Sequence, residues 1–210
     1  MARSKSSSAW LKRHVNDPYV RKATAQGYRA RSAFKLLEIV QREGLALIGQ
    51  TAVDLGAAPG GWSQVLAQRV GGSGKVIALD LLELPPIPGV TIIRGDFGDD
   101  GVLKQLEDVL AGRKVDLVVS DMAPNITGVR ATDQARSIHL CELALDFAQS
   151  HLNPRGALLV KAFQGSGYPE FLAAMRKSFV TVVSKKPGAS RDESKEMYLL
   201  GKSLRSSTVA

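Results

Sequence analysis

From Thr51 to Gly201 the chain alternates short β-branched or Leu-rich runs with segments of helical periodicity, which restricts it to an α/β fold with a mainly parallel sheet. The runs predict seven strands: Thr51–Leu55, Lys75–Leu79, Thr91–Arg94, Leu117–Ser120, Ala157–Phe163, Val180–Ser184 and Met197–Gly201. Between them the period predicts helices at Trp62–Val70, Gly101–Ala111, Asp133–His151 and Tyr168–Ser178. Only a polar loop, Lys185–Glu196, separates the last two strands, so the sheet is expected to end in an antiparallel hairpin, with helices on both faces. Upstream, Ala9–Val15 and Pro18–Ala25 read as short helices, the second capped by Asp17 with Pro18 at its first position. A third, Ser32–Arg42, is stopped by Gly44 and carries Lys35. The small polar tail, residues 202–210, reads as frayed.

At 210 residues and 44% apolar composition, one domain with a real core is expected. No apolar run approaches the roughly 18 residues of a membrane span, and no apolar stretch follows the Ser-rich start, so a cytoplasmic protein is expected. Cys141 is the lone cysteine; with only His14, His139 and His151 beside it, neither a disulfide nor a zinc site is expected, and no metal. No large apolar stripe is apparent, so a monomer is expected.

Charge is unevenly placed. The net charge is +8, and residues 1–42 hold all of it: Arg3, Lys5, Lys12, Arg13, Arg21, Lys22, Arg29, Arg31, Lys35 and Arg42 against Asp17 and Glu38. Such a block points to a polyanionic partner. Trp10, Tyr19, Tyr28 and Phe34 interleave with it, which argues for a folded polyanion-binding extension over residues 1–42, ahead of the main domain at 43–201. Removing residues 1–30 is then expected to weaken binding of that polyanion and its salt dependence and to spare the binding of a cofactor-like ligand held by the rest of the chain.

The first strand runs into Asp54-Leu55-Gly56-Ala57-Ala58-Pro59-Gly60-Gly61-Trp62, a glycine-rich turn that opens a helix, the usual seat of a nucleotide-like ligand in an open α/β sheet. The dinucleotide fingerprint and the phosphate loop are both absent, which disfavours a nicotinamide oxidoreductase and any di- or triphosphate ligand. Asp80, after the second strand, is placed to accept both hydroxyls of a ribose, and Asp96, in Arg94-Gly95-Asp96-Phe97, to accept an exocyclic amine. These acids suit an adenosine without phosphates. Ser120-Asp121-Met122-Ala123-Pro124-Asn125 follows the fourth strand. Lys161 interrupts a run that otherwise reads as a buried central strand, so it either reaches a cleft or pairs with an acid such as Asp121.

Asp54–Trp62, Ser120–Asn125 and Val160–Gln164, in this order, closely resemble the FtsJ/RrmJ (RlmE) family of ribosomal RNA ribose 2′-O-methyltransferases, from Trp10 to Leu200. The resemblance implies a Rossmann-like fold that uses S-adenosylmethionine. It implies a catalytic tetrad at Lys35, Asp121, Lys161 and Glu196, and cofactor contacts at Gly60, Trp62, Asp80, Asp96 and Asp121. Lys35 and Glu196 acquire a role only through it. It implies further that the substrate is a uridine in the A loop of large-subunit (23S) ribosomal RNA, modified in late ribosome assembly, with the subunit or its RNA as partner. A transfer RNA ribose methyltransferase, or a noncatalytic assembly factor on the same fold, is the alternative. The loop Ala189–Lys195 departs from the family by carrying Asp192 and Glu193 where a basic stretch is expected. In the mechanism this implies, Lys161 either takes the hydroxyl proton or stays protonated and positions the oxygen, with Asp121 steadying the sulfonium or orienting Lys161 and Glu196 orienting a lysine or the hydroxyl.

Overall fold

The computed structural model describes residues 17–45 and 47–205; the expected helix Ala9–Val15, Trp10 and the end of the tail lie outside them. Helix α1 (Pro18–Ala25) starts where the Asp17 carboxylate accepts a hydrogen bond from the Tyr19 amide at 2.9 Å, filling one of the donors a helix start leaves open. Helix α2 (Ala33–Arg42) buries Ala33, Phe34, Leu36, Ile39 and Val40 along one face. Ser32 does not cap it with its side chain; its carbonyl instead accepts the indole N–H of Trp62.

Strands β1 (Thr51–Leu55), β2 (Lys75–Asp80), β3 (Val90–Arg94), β4 (Val115–Ser120), β5 (Leu152–Phe163), β6 (Phe179–Lys185) and β7 (Glu196–Leu204) form one sheet in the order β3-β2-β1-β4-β5-β7-β6. The first five are parallel, and β7 lies antiparallel between β5 and β6. The expected hairpin is therefore present, folded so that β6 becomes the edge. Helices α3 (Gly61–Val70), α4 (Asp100–Leu110), α5 (Arg130–His151) and α6 (Tyr168–Ser178) complete the two outer layers.

Side-chain alternation along the strands divides the core. Val53, Leu55, Val118, Leu158, Val160 and Leu199 pack with the helical residues Leu106, Ile138, Leu145, Phe171 and Met175 on one face. Ala52, Val76, Leu117, Val119, Leu159, Tyr198 and Leu200 pack with Leu36, Ile39, Trp62, Val65 and Leu66 on the other. The same parity places Asp54, Lys161 and Glu196 on the face covered by α2 and α3, which decides where they meet.

Three expectations need correction. Residues 202–204 are strand, not tail: Lys202 pairs with Ala157 and Thr181, and Leu204 with Phe179. β5 starts at Leu152, which pairs with Val115 before the register shifts and resumes at Ala157 opposite Leu117. α5 starts at Arg130, three residues before the expected Asp133, because that carboxylate folds back to accept the amides of Thr127 (2.8 Å) and Gly128 (3.1 Å) instead of capping the helix. Helix α2 buries its apolar face against α3 and the sheet.

Candidate active site

Connections leave β1 toward β2 on one side and β4 toward β5 on the other, so a crevice opens at the carboxyl ends of β1 and β4. The glycine turn lies here. Gly56 has φ +76°, and a Cβ on it would sit 2.6 Å from Met122 Cγ and 2.9 Å from Met122 Cα; only glycine lets the turn pack on the segment that follows β4. Gly60, at φ +105°, leads into α3, whose first-turn N–H groups, that of Trp62 among them, have no partner within the helix. The Trp62 indole itself is buried, donates to the Ser32 carbonyl at 2.8 Å and lies 5.7 Å from the Tyr198 ring. Any ligand contact at Trp62 therefore falls to its backbone.

The Asp80 carboxylate accepts the Ala58 amide through one oxygen and the Leu82 amide through the other, both at 2.8 Å, so it ties β2 to the glycine turn. Asp96 is exposed and accepts the Gly98 amide at 2.9 Å through Oδ1. An ionised carboxylate has about four lone-pair sites, which leaves both acids capacity for hydroxyl or amine donors of a ligand. Asp54 is fully buried; Oδ2 accepts from Ser63 Oγ at 2.6 Å and Oδ1 has no partner. Burial, reinforced by the charges of Asp121 and Asp80 and opposed by the Ser63 hydrogen bond, pushes this carboxyl up to about 7.

Beyond the turn, Lys35, Asp121, Lys161 and Glu196 come together from four separate segments. Lys161 Nζ lies 3.1 Å from Asp121 Oδ1 and donates to the Asp121 backbone carbonyl at 2.6 Å. Of the two expectations for Lys161, the pairing with Asp121 is the one observed. Lys35 Nζ contacts Glu196 Oε1 at 2.6 Å and donates to the Tyr198 hydroxyl at 3.1 Å. That hydroxyl in turn donates to Asp121 Oδ1 at 2.8 Å, so Tyr198 joins the two ion pairs into one chain, Glu196–Lys35–Tyr198–Asp121–Lys161. Burial works against the Glu196 carboxylate, but the charge and hydrogen bond of Lys35, with help from Lys161, hold it below the ordinary range. Burial, followed by the charges of Asp121 and Glu196, drives the Tyr198 hydroxyl well above its ordinary value, so it remains a donor.

Tyr198 is a site residue the sequence left unmarked. As the cross-strand partner of Lys161 it shares that face of the sheet, but the pairing of β5 with β7 is not written in the local pattern. Tyr198→Phe removes the bridging hydroxyl with little change in volume, and a hydrogen bond to a charged group contributes about 1.5–3 kcal/mol. The variant is expected to slow whatever step uses Lys161 about tenfold while keeping the fold, checked by single-turnover kinetics beside urea unfolding.

The N-terminal charges divide in the same way. Arg31 pairs with Asp17 at 2.7 Å and donates to the Ala189 carbonyl, and Arg29 and Lys35 are also engaged within the protein. Lys22 is exposed, whereas Arg3, Lys5, Lys12 and Arg13 lie outside the described residues. The loop carrying Asp192 and Glu193 docks on α1 and α2 through buried Ala189 and through the Gly188 amide, which donates to Glu38. Among the described residues no cluster of His, Cys, Asp and Glu is set to hold a metal, and no helix is long and apolar enough to cross a membrane. Cys141 is buried against the Lys161 carbonyl, and burial pushes its thiol up to about 12.

A parallel sheet closed by β7 between β5 and β6, with a glycine turn after β1 and acids at the next two strand ends, is the Rossmann-like methyltransferase architecture expected above. A ribosomal RNA methyltransferase from Plasmodium falciparum superposes with a TM-score of 0.74 at 29% identity, covering 84% of this chain and 98% of that one. Fibrillarin from Methanococcus jannaschii shares the fold at a TM-score of 0.54 and 15% identity. The chain belongs to the FtsJ-like methyltransferase family, which matches residues 28–204. Proteins named Ribosomal RNA large subunit methyltransferase E from Azoarcus sp. (strain BH72) and Chromobacterium violaceum are each 58% identical to it over 205 residues, 98% of this chain and all of theirs.

Proposed function

We propose that this chain methylates a ribose 2′-hydroxyl of large-subunit ribosomal RNA, a uridine of the A loop, as a cytoplasmic monomer acting late in subunit assembly. The observation that carries the reading is the chain Glu196–Lys35–Tyr198–Asp121–Lys161 at the lip of the glycine-turn crevice. The names of the relatives favour the ribosomal substrate.

The cofactor is S-adenosylmethionine, which supplies an electrophilic methyl on a sulfonium. The donor set suits its nucleoside: Asp80 would accept the ribose hydroxyls, Asp96 would accept the exocyclic amine, and the Gly60 turn with the Trp62 amide would donate to nearby polar atoms. Asp121 would offer its negative charge to the sulfonium.

In-line displacement requires the ribose oxygen to be aligned with the methyl carbon and to lose its proton. Lys161, held by the Asp121 carboxylate and backbone carbonyl, is the group aimed at that hydroxyl; it takes the proton as the neutral amine, its own ammonium proton having first passed to solvent. Lys35, fixed by Glu196 and Tyr198, steadies the oxygen as it gains charge. Partial burial shields these ion pairs from bulk water, where their attraction would be weaker. The exposed cations of the N-terminal segment hold the RNA backbone, and the reading of a 2′-hydroxyl makes the reaction specific to RNA.

The test is transfer of labelled methyl from S-adenosylmethionine to large subunits and to bulk transfer RNA from cells lacking the enzyme. Label in the subunit RNA supports the reading. Label confined to transfer RNA overturns the substrate, and label in neither overturns the enzymatic reading.

A further inference from the structure

Residues 27–32 cross the mouth of α3 as a strap. The Gln64 side chain donates to the Gly27 carbonyl at 3.1 Å and accepts the Arg29 amide at 2.8 Å, while one turn further on Gln68 accepts the Tyr28 hydroxyl at 3.1 Å. Ser32 takes the Trp62 indole, and Ala30 lies so close over Gly61 that a Cβ there would sit 3.2 Å from the Ala30 methyl. From this strap the Arg29 guanidinium reaches the opposite wall of the crevice. Nη1 donates to the Pro85 carbonyl and Nη2 to the Pro86 carbonyl, both at 2.7 Å. These carbonyls belong to the loop between β2 and β3 that begins at Asp80 and returns Ile87 against Gly60. The Arg29 side chain also borders Gly60, where a Cβ would lie 3.2 Å from its Cδ and Nη1.

The geometry points to Arg29 as a positioning residue of the nucleoside site: it holds the 81–89 loop against the glycine turn, which makes the N-terminal segment part of the cofactor site. The inference rests on the reading of the crevice as a nucleoside site. A planar fork with two parallel donors fixes both the distance and the orientation of two successive carbonyls, and a lysine ammonium cannot do both. Prolines at 85 and 86 have no amide hydrogens, so this stretch cannot be pinned through its own N–H groups. It follows that deleting residues 1–30 removes a wall support of the crevice, contrary to the expectation that such a truncation spares cofactor binding.

The experiment is calorimetric binding of S-adenosylmethionine to the full chain without RNA, for wild type, Arg29→Gln, Arg29→Lys and Gln64→Ala, with the urea midpoint of each. Arg29→Gln is expected to weaken binding about tenfold. Arg29→Lys should fall between it and wild type, and kcat at saturating cofactor should stay within about twofold of wild type. Gln64→Ala, which loosens the strap and leaves the guanidinium intact, should weaken binding in the same direction. If Arg29→Gln binds as wild type does, the role of Arg29 is overturned and the proposed function stands. If kcat falls while cofactor affinity holds, Arg29 serves the RNA and the inference fails. Wild-type protein that does not bind S-adenosylmethionine overturns both.

Discussion

Lys161→Ala is expected to lower single-turnover methyl transfer at saturating RNA and cofactor by about 10²–10⁴-fold, the usual worth of a positioned general acid or base. The side chain is buried beside Asp121, so its loss also leaves a carboxylate with one partner fewer, and urea unfolding is needed to separate that effect from chemistry. The Tyr198 hydroxyl still reaches Asp121 Oδ1 in the variant, which keeps the carboxylate solvated and the crevice intact. Arginine at this position keeps the charge and gives up the ability to accept a proton. Lys161→Arg should therefore be as slow as Lys161→Ala if Lys161 takes the proton, and should retain most of the rate if it only places the oxygen. A Lys161→Ala variant that keeps a large fraction of the wild-type rate removes Lys161 from the proton transfer.

Asp54→Asn is expected to raise stability more at pH 8 than at pH 5, by about 3 kcal/mol, taking 1.36 kcal/mol for each pKa unit. The folded carboxyl titrates at about 7 against 3.8 for the ordinary group, so the native state holds its proton where the unfolded chain has lost it. Stability contributed by the neutral carboxyl is complete below the unfolded value and is lost as pH rises through the folded one. Above that, a fully buried charge with one unpartnered oxygen remains as a standing cost. An amide carries no such cost at any pH. Comparing the two pH values cancels whatever the substitution does to the Ser63 hydrogen bond. Urea midpoints of cofactor-free protein at both pH values measure the difference. An equal effect of the substitution at pH 5 and pH 8 would mean that Asp54 is already ionised in the native state at pH 5.

The centre of the sheet was legible because its strands are buried on both faces and read as continuous apolar runs: β1 is buried along its whole length, and its expected and observed bounds coincide. Boundaries failed where tertiary partners overrule local pattern. Asn153 to Gly156 look like loop and belong to a strand only because Leu152 finds Val115 across the register shift. Lys202 looks like tail and is held by β5, β6 and the Glu43 carboxylate at 2.7 Å. In the site, the acids at the strand ends followed from topology. Lys35 and Glu196 carried no local mark, since a lysine on an amphipathic helix and a glutamate at a strand end are ordinary. The strap was invisible for a different reason. Residues 27–32 have no periodicity, and their importance comes from what Gln64, Trp62 and the Pro85-Pro86 carbonyls do to them from far along the chain.

The position of the methyl group on the product tests the central claim most directly. Large-subunit RNA labelled by the wild-type enzyme would be hydrolysed with alkali and the fragments separated. A methylated 2′-oxygen cannot attack the adjacent phosphodiester, so the account predicts label in an alkali-resistant dinucleotide. Label released in mononucleotides would place the methyl on a base and contradict it.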